Sequence, residues 1–358
     1  MKKILFKIKD LKVPIIVGDN ILKKINYQQY IRNKDVVIIT NKTVAKLHLT
    51  KVKNVLKKFR VETYIIPDGE RFKNTDTLNK IHNFLIEKNF DRQLTIIAFG
   101  GGVIGDLAGF AADTFLRGVD LIHMPTTLLA QVDSAIGGKT GINHKNGKNL
   151  IGSFKHPNAV IIDISFLSTL PKRQFISGLA EVIKYGIISN GSFLKWLNMN
   201  KENILNYKSK ELLRVVSVSV KEKVNIVQKD EKEKNIRAFL NFGHTLGHAI
   251  ESTQNYKGIL HGEAIGIGMV FASAISVEKS TLTISDFNLI TETIQNLQLP
   301  ISLPREIKTS KIMNHLSFDK KKKLGKNNFV LLKSISKCFI TDKLTTKFIQ
   351  KMVETFQH

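Results

Sequence analysis

The sequence predicts an α/β protein of two domains, with a parallel sheet in the N-terminal half and mainly α-helices in the C-terminal half. Three observations carry this prediction. Short β-branched runs alternate with helical segments up to residue 164, longer helical segments follow, and 358 residues are many for one hydrophobic core. We therefore predict domains at residues 1–168 and 169–358, packed directly together around a cleft.

The first predicted domain follows a strand–helix rhythm. Helical segments cover residues 43–59 and 75–88, and a third follows the glycines at 100–102. Short apolar runs are typical of buried strands, and they occur at residues 36–40, 61–66, 94–99, 121–124 and 160–164. This βαβ order indicates a parallel sheet with helices on both faces.

The second predicted domain is mainly helical. Its long helical segments are residues 173–188, 210–229, 241–253 and 262–279. A hairpin is expected near residues 329–340. No internal repeat and no low-complexity linker separates the two halves.

The composition indicates a globular protein inside the cell. Apolar residues make up 42% of the chain and aromatic residues 8%, and no apolar run approaches the ~20 residues of a membrane span. The apolar stretch at the N-terminus stops at Lys7, which is too short for a signal-peptide core. Cys338 is the single cysteine, as suits a reducing compartment. We expect a cytoplasmic protein with no membrane partner.

The net charge of +25 raises the question of a nucleic-acid partner. The basic residues are 46 Lys and only 9 Arg, whereas nucleic-acid sites favour Arg and interleave basic with aromatic residues. Lys, Asn and Ile, all abundant here, share A/T-rich codons. We attribute the charge to solvated surfaces and predict no nucleic-acid partner.

A glycine-rich turn joins a predicted strand to a predicted helix. Gly100, Gly102 and Gly105 satisfy the G-x-G-x-x-G pattern, in which glycine lets the backbone approach a pyrophosphate at the start of a helix. A tight turn without a ligand is the alternative. The strand–turn–helix context favours a dinucleotide cofactor. Residues 68–70 and 126–127 also follow strands, at the edge where open α/β sheets bind ligands.

A second glycine segment covers residues 137–141 and is followed by Asn143, Lys148 and Asn149. It resembles a P-loop only superficially, because Asp133 stands near the place of the first glycine. A flexible loop with surface lysines is one interpretation. The density of lysine and asparagine around the glycines favours a phosphate or carboxylate ligand.

A third constellation has the residue types of a metal site. Glu181 and Lys184 share one helical face, and so do His244 and His248, while His261 begins another helix. One Glu and two His supply three protein ligands and leave open positions, as in catalytic zinc sites. Any single histidine is more often an ordinary core or surface residue. Several within a glycine-rich stretch favour a metal, and the missing internal Glu excludes the metalloprotease helix.

Together these residues resemble the 3-dehydroquinate synthase family in order and spacing over nearly the whole chain. The segments that carry the resemblance are residues 100–106, 117–118, 125–130, 133, 137–140, 148–149, 178–184 and 237–248.

The resemblance implies a role for each matching position. The implied metal ligands are Glu181, His244 and His261. The implied NAD-binding residues are Asp68, Gly69, Glu70, Arg71, Phe72, Lys73, Gly102, Val103, Ile104, Gly105, Asp106, Thr126, Thr127, Lys139, Lys148, Phe166, Leu167, Ser168 and Thr169. The implied substrate-binding and catalytic residues are Asp133, Lys139, Asn149, Lys184, Lys223, Arg237, Asn241 and His248. Arg117 matches an arginine that reaches a neighbouring subunit's substrate phosphate, which implies a homodimer, and Lys320 or Lys321 would close over the substrate.

The resemblance also implies a reaction. Such enzymes use NAD and one divalent metal, usually zinc with cobalt as an alternative, to convert 3-deoxy-D-arabino-heptulosonate 7-phosphate to 3-dehydroquinate and phosphate. A hydride passes from C5 to NAD and returns after phosphate has left, and ring opening with an internal aldol closure completes the carbocycle. The implied architecture is a dinucleotide-binding α/β domain with a parallel sheet, plus a mainly α-helical metal- and substrate-binding domain.

The sequence departs from the family pattern near its C-terminus. Ser336 stands where a glycine is expected and Asn328 where a basic residue is commoner. Three alternatives stay open: another sugar phosphate cyclase, a metal-dependent polyol dehydrogenase of related fold, and a basic nucleic-acid-binding protein. Lys139, Asn149 and Arg237 favour the dehydroquinate reaction over a sister cyclase.

Overall fold

The computed structural model describes residues 1–233, 235–254, 258–304, 306–322 and 328–356, without the side chains of 317–322. Contacts between residues divide the chain into two compact units. The first contains Met1–Pro171 and Leu212–Val224, and the second contains Lys172–Glu211 and Asn225–His358. A domain boundary at residue 168 stays a prediction.

The first unit contains a seven-stranded sheet and a separate two-stranded one. Its strands are β1 (Lys2–Ile8), β2 (Leu11–Gly18), β3 (Asp35–Asn41), β4 (Arg60–Ile66), β5 (Thr95–Gly100), β6 (Asp120–Pro125), β7 (Lys139–His144), β8 (Gly147–Phe154) and β9 (Ala159–Asp163). Its helices are α1 (Lys42–Val55), α2 (Thr75–Glu87) and α3 (Gly102–Thr114).

The large sheet has the strand order β1-β2-β9-β6-β5-β3-β4. All of its pairs are parallel except β1 with β2, which pair antiparallel. The prediction of a parallel-dominated α/β sheet is confirmed. The antiparallel edge was not predicted from the sequence, because most of β1 is exposed and carries lysines among its apolar residues.

Apolar residues on both faces of β3 explain the parallel sheet. Val37 and Ile39 lie in one hydrophobic cluster with residues of α2 and α3. Val36 and Ile38 lie in a second cluster with residues of α1. A strand buried on both faces is apolar at consecutive positions, so its sequence shows a continuous apolar run.

The second glycine segment forms part of a strand pair, not a flexible loop. Gly137 and Gly138 have positive φ and lead into β7, which pairs with β8. A Cβ on Gly152 would lie 2.1 Å from the carbonyl oxygen of Thr140, so the close approach of β8 to β7 requires glycine there.

The second unit is mainly helical, as predicted. Its helices are α4 (Lys172–Ile188), α5 (Gly191–Met199), α6 (Lys201–Leu205), α7 (Ser209–Lys229, whose middle belongs to the first unit), α8 (His244–Thr253), α9 (His261–Lys279), α10 (Ile284–Asn296), α11 (Thr309–Lys322) and α12 (Thr346–Thr355). The antiparallel strands β10 (Phe329–Ser334) and β11 (Lys337–Thr341) form a hairpin near the predicted position. No helix of the described residues is long and apolar enough to cross a membrane.

Ser336 takes the backbone conformation of the glycine expected in this hairpin. Its φ is +68°, in the left-handed region. Its amide donates to the carbonyl oxygen of Ile187 at 2.8 Å, and its hydroxyl accepts from the amide of Gly191 at 2.9 Å. These bonds to the region around α4 and α5 hold a serine where glycine would be unstrained.

His123 is a buried histidine on β6. A Cβ on Gly105 of α3 would lie 3.6 Å from its ring. Burial lowers the pKa of His123 to about 4, so the ring is neutral at neutral pH. Because the unfolded chain has the ordinary pKa of 6.5, it binds more protons than the folded chain between these two values.

We therefore expect acid to destabilise the protein through His123. Lowering the pH from 7 to 5 should remove on the order of 2 kcal/mol of unfolding free energy through this residue. His123→Gln should lack this part of the loss, measured by urea unfolding at both pH values, whereas His144→Gln at an exposed position should retain it. An unchanged acid sensitivity in His123→Gln would contradict the assignment.

Candidate active site

Two close backbone contacts position helix α9 in the second unit. A Cβ on Gly262 would lie 1.8 Å from the carbonyl oxygen of Ser177 in α4, and the Gly262 amide donates to the Ser177 hydroxyl at 3.0 Å. A Cβ on Gly268 would lie 2.0 Å from the carbonyl oxygen of Gly243, just before α8. Both positions therefore require glycine, and α4, α8 and α9 meet where His261 begins α9.

The start of α9 is held by a carboxylate. Glu263 accepts from the Leu260 amide at 2.8 Å, which satisfies one of the free N–H groups around the helix start. Arg173 makes two further bonds to Glu263, each 2.7 Å long. The backbone that carries His261 is thus fixed on both sides of that residue. Neither Glu263 nor Arg173 is among the predicted site residues.

Glu181, His244 and His261 converge at this junction, with their ligand atoms within 4.8 Å of one another. Glu181 Oε1 lies 3.5 Å from His244 Nε2 and 3.4 Å from His261 Nε2. Ligands at about 2.1 Å from a tetrahedral zinc ion stand about 3.4 Å apart. The spacing therefore fits one divalent ion.

The donor set also fits a metal. Both carboxylate oxygens of Glu181 are buried and lack a well-aligned hydrogen bond from any described residue, although Lys184 contacts one of them as an ion pair. A buried carboxylate without enough donors is costly unless a cation compensates it. Two imidazoles and one carboxylate leave a coordination position open, as catalytic sites require.

The charges at this junction suit ligation. Burial alone would raise the pKa of Glu181, but Lys184 and the two histidines hold it well below its ordinary value. Burial and the Lys184 charge lower the pKa of His244. Burial would lower the pKa of His261, yet the carboxylates of Glu181 and Glu251 raise it to about 9. Metal binding would therefore release protons.

The other predicted site residues of this unit lie in two places. Lys184 and His248 lie at the junction, and the rings of His248 and His244 are 5.2 Å apart. Arg237 is buried and donates to the carbonyl oxygen of Glu231, while Asn241 is exposed and donates to Glu233 Oε1 at 2.6 Å. The side chains of Lys320 and Lys321 lie outside the described residues.

In the first unit, predicted cofactor residues follow the carboxyl ends of parallel strands. Gly102, Val103 and Ile104 form the first turn of α3, where amides have no partner within the helix. The Thr126 amide donates to the carbonyl oxygen of Gly100 at 3.0 Å. Asp68 accepts from Asn41 and from the Thr43 amide. Free amides at a helix start next to glycine suit a pyrophosphate.

Two ion pairs link further predicted residues of the first unit. Lys73 Nζ contacts Asp106 and donates to Asn149 Oδ1 at 2.5 Å. Lys223 Nζ donates to both the carbonyl oxygen and Oδ1 of Asp133 at 2.6 Å. Burial raises the pKa of Asp106, and Lys73 opposes that shift.

Loop contacts support this edge of the first unit. The amide of Asn143 donates to the carbonyl oxygen of Lys73, and its side chain donates to Glu70 Oε1, both at 2.8 Å. Gly69 has φ of +116° and opens the short turn that contains Arg71 and Phe72.

The remaining predicted residues of this unit differ in exposure. Phe166 and Leu167 are buried, and Phe166 packs in the hydrophobic core beneath the sheet. Ser168, Thr169, Lys139 and Arg117 are exposed, and Lys148 is half-buried. Arg117 has left-handed backbone, with φ of +66°, just after α3.

Solved structures that share this fold include a sugar phosphate cyclase and an iron-containing alcohol dehydrogenase. The chain aligns with 2-deoxy-scyllo-inosose synthase, complexed with carbaglucose-6-phosphate, NAD+ and Co2+, at a TM-score of 0.89 and 25% identity, covering 99% of this chain and 100% of that one. It aligns with an iron-containing alcohol dehydrogenase at a TM-score of 0.68 and 14% identity, covering 96% and 97%, which shows a shared fold.

Sequence comparison defines the family within this fold. Residues 63–177 match the family described as 3-dehydroquinate synthase N-terminal, and residues 178–322 match 3-dehydroquinate synthase C-terminal. The chain is 42% identical over 352 residues to the 3-dehydroquinate synthase of Hydrogenovibrio crunogenus, covering 98% of each chain. The chain belongs to the 3-dehydroquinate synthase family.

The buried pair of Glu181 and Lys184 yields a stability test. Their side chains are 1% and 2% exposed, so removing either partner leaves an uncompensated buried charge that costs about 3–5 kcal/mol. Glu181→Gln and Lys184→Met should each lose about that much unfolding free energy in the metal-free protein. The double variant should lose clearly less than their sum.

The control is the exposed pair of Glu62 and Lys88, 3.6 Å apart. Coupling in that pair should be at most about 1 kcal/mol. Additive losses at Glu181 and Lys184, measured by denaturant unfolding, would contradict a tightly coupled buried pair.

Proposed function

We propose that this chain is a phosphate-eliminating carbon–oxygen lyase, a 3-dehydroquinate synthase that converts 3-deoxy-D-arabino-heptulosonate 7-phosphate to 3-dehydroquinate and phosphate in the shikimate pathway of aromatic amino-acid biosynthesis. The observation that carries the proposal is the junction of Glu181, His244 and His261 beside Lys184, in a chain 42% identical to a relative of that name. The junction combines an open metal position with a buried cation.

The proposed cofactors are NAD and one divalent ion, zinc or cobalt. Glu181, His244 and His261 would hold the ion, and the turn at residues 100–106 with the neighbouring loops would hold NAD. When bound, the ion would polarise the C5 hydroxyl as a Lewis acid and NAD would accept and return the C5 hydride. This assignment is supported by the similarity of the chain to 2-deoxy-scyllo-inosose synthase, whose structure contains NAD+ and Co2+.

The chain's own residues would bind and orient a multiply anionic substrate. In the second unit, Lys184 and Arg237 are buried cations, and His248 lies exposed at the junction. In the first unit, Lys139 is exposed and Lys223 is held by Asp133. Fixed cations stabilise negative charge that develops as phosphate leaves, without reorganising at the moment of reaction.

We also propose a homodimer in the cytoplasm. The exposed position of Arg117 after α3 would let it reach a neighbouring subunit's substrate phosphate. The single cysteine, Cys338, is free, as suits a reducing compartment.

Two alternative functions share this scaffold. A sister sugar phosphate cyclase is favoured by the TM-score of 0.89 with 2-deoxy-scyllo-inosose synthase, and a metal-dependent polyol dehydrogenase by the fold shared with the alcohol dehydrogenase. Family membership argues for the dehydroquinate reaction over both, because the identity rises from 25% with the inosose synthase to 42% with the named relative.

The function is tested by phosphate release from 3-deoxy-D-arabino-heptulosonate 7-phosphate with catalytic NAD and added zinc. We expect release without net NADH, because the hydride is returned within each turnover, and loss of release on adding a chelator. Failure of the protein to release phosphate would exclude the proposal. Accumulation of NADH in proportion to an added polyol would identify a dehydrogenase instead.

The metal ligands are tested by His244→Ala. The variant should lose bound metal, and kcat should fall about a thousandfold or more, because Lewis-acid stabilisation is worth several kcal/mol. Metal content measured by plasma emission and phosphate release measured in the same preparation check both parts. His315→Ala, at an exposed position of the same unit, should match the unaltered chain. Full turnover in metal-free His244→Ala would rule out a metal role.

A further inference from the structure

The two ring nitrogens of His244 face different neighbours, and so do those of His261. Their Nε2 atoms face Glu181. His244 Nδ1 lies 3.1 Å from the carbonyl oxygen of Phe242, and His261 Nδ1 lies 3.2 Å from Glu251 Oε2. A carbonyl or carboxylate oxygen only accepts, so each Nδ1 carries a proton, and each Nε2 is the nitrogen that would present its lone pair once a metal replaces any proton there.

The two acceptors differ in an important respect. The acceptor for His244 is backbone, whereas the acceptor for His261 is the side chain of Glu251. Glu251 lies on α8 and is 7% exposed. A carboxylate so placed is costly to bury unless hydrogen bonds or a cation compensate it.

We propose that Glu251 is a positioning residue for the divalent metal of this site. It accepts the Nδ1 proton of His261, fixes the ring, and directs the Nε2 lone pair at the ion held with Glu181 and His244. The proposal rests on the proposed function, because it assumes that these three residues bind a metal.

A second arrangement of the same groups is less favourable. His248, Glu251 and His261 also bring their ligand atoms within 4.8 Å of one another, as a second ion would require. However, His261 would then bind one ion through Nε2 and another through Nδ1, so its ring would have to lose both protons. A hydrogen bond from Nδ1 to a carboxylate needs no such deprotonation, and it orients the ligand and raises its basicity.

The test measures metal affinity, not turnover alone. Metal-free protein is titrated with Co2+, whose visible absorption reports the coordination geometry, in competition with a chelator. Glu251→Gln keeps an acceptor oxygen but loses the charge, and we expect its Kd for Co2+ to rise about tenfold. Glu251→Ala loses both, and its Kd should rise about a hundredfold. Each protein should bind one ion per chain.

The matched control is Glu278→Gln, at an exposed glutamate of α9. It should leave the Kd and the Co2+ spectrum unchanged. A positioning role predicts that adding metal raises the Tm of Glu251→Gln by less than it raises the Tm of the unaltered protein, because ligand stabilisation follows the affinity.

The proposal is overturned if Glu251→Gln binds Co2+ within twofold of the unaltered protein, if adding metal raises the Tm of both proteins equally, or if the unaltered protein binds two ions or none. Should Glu251→Ala fail to fold, Glu251→Gln decides alone. Phosphate release by the unaltered protein separates the two proposals. If the unaltered protein shows metal-dependent turnover but Glu251→Gln binds Co2+ with unchanged affinity, only the role of Glu251 is rejected. If Glu251→Gln binds Co2+ more weakly but the unaltered protein shows no turnover, only the proposed reaction is rejected.

Discussion

The approach of α9 to the backbone of α4 and Gly243 is the constraint on which the metal junction depends. A side chain at Gly262 or Gly268 would overlap a carbonyl oxygen, so the distances between these helices are set by backbone contact and not by flexible side chains. Packed interiors transmit even small displacements because they have few voids. A ligand spacing of 3.4–3.5 Å is therefore a property of the helix packing.

The buried ion pair of Glu181 and Lys184 is better explained by function than by stability. Glu181 and Lys184 are almost fully buried one turn apart on α4, and a buried pair of this kind is often less stable than apolar residues of equal volume. Lys184 and the two histidines keep Glu181 ionised despite its burial, and burial together with the Lys184 charge keeps His244 neutral. These are the protonation states in which a carboxylate and an imidazole ligate a metal.

The sequence predicts the elements whose local residue pattern is consistent with only one kind of secondary structure. The strands of the parallel sheet appear as continuous apolar runs because both faces are buried, as the alternating clusters of β3 show. The strands β1 and β8 were not predicted because most of their residues are exposed, so neither shows a continuous apolar run. Glu251 escaped for a related reason: a glutamate within a helix is ordinarily solvated, and only the packing of α8 on α9 brings it to His261.

The net charge of +25 does not show which cations are buried and held in a fixed position, and these form a much smaller set. Among the described residues, the buried lysines are Lys73, Lys184 and Lys223, and each pairs with a carboxylate, namely Asp106, Glu181 and Asp133. These pairs hold three ammonium groups desolvated and oriented. In the proposed reaction an anion that reaches any one of these lysines would meet a cation whose desolvation and ordering are already complete, so more of its binding free energy would remain for the transition state. The exposed lysines contribute no such preorganisation, because water and salt screen them.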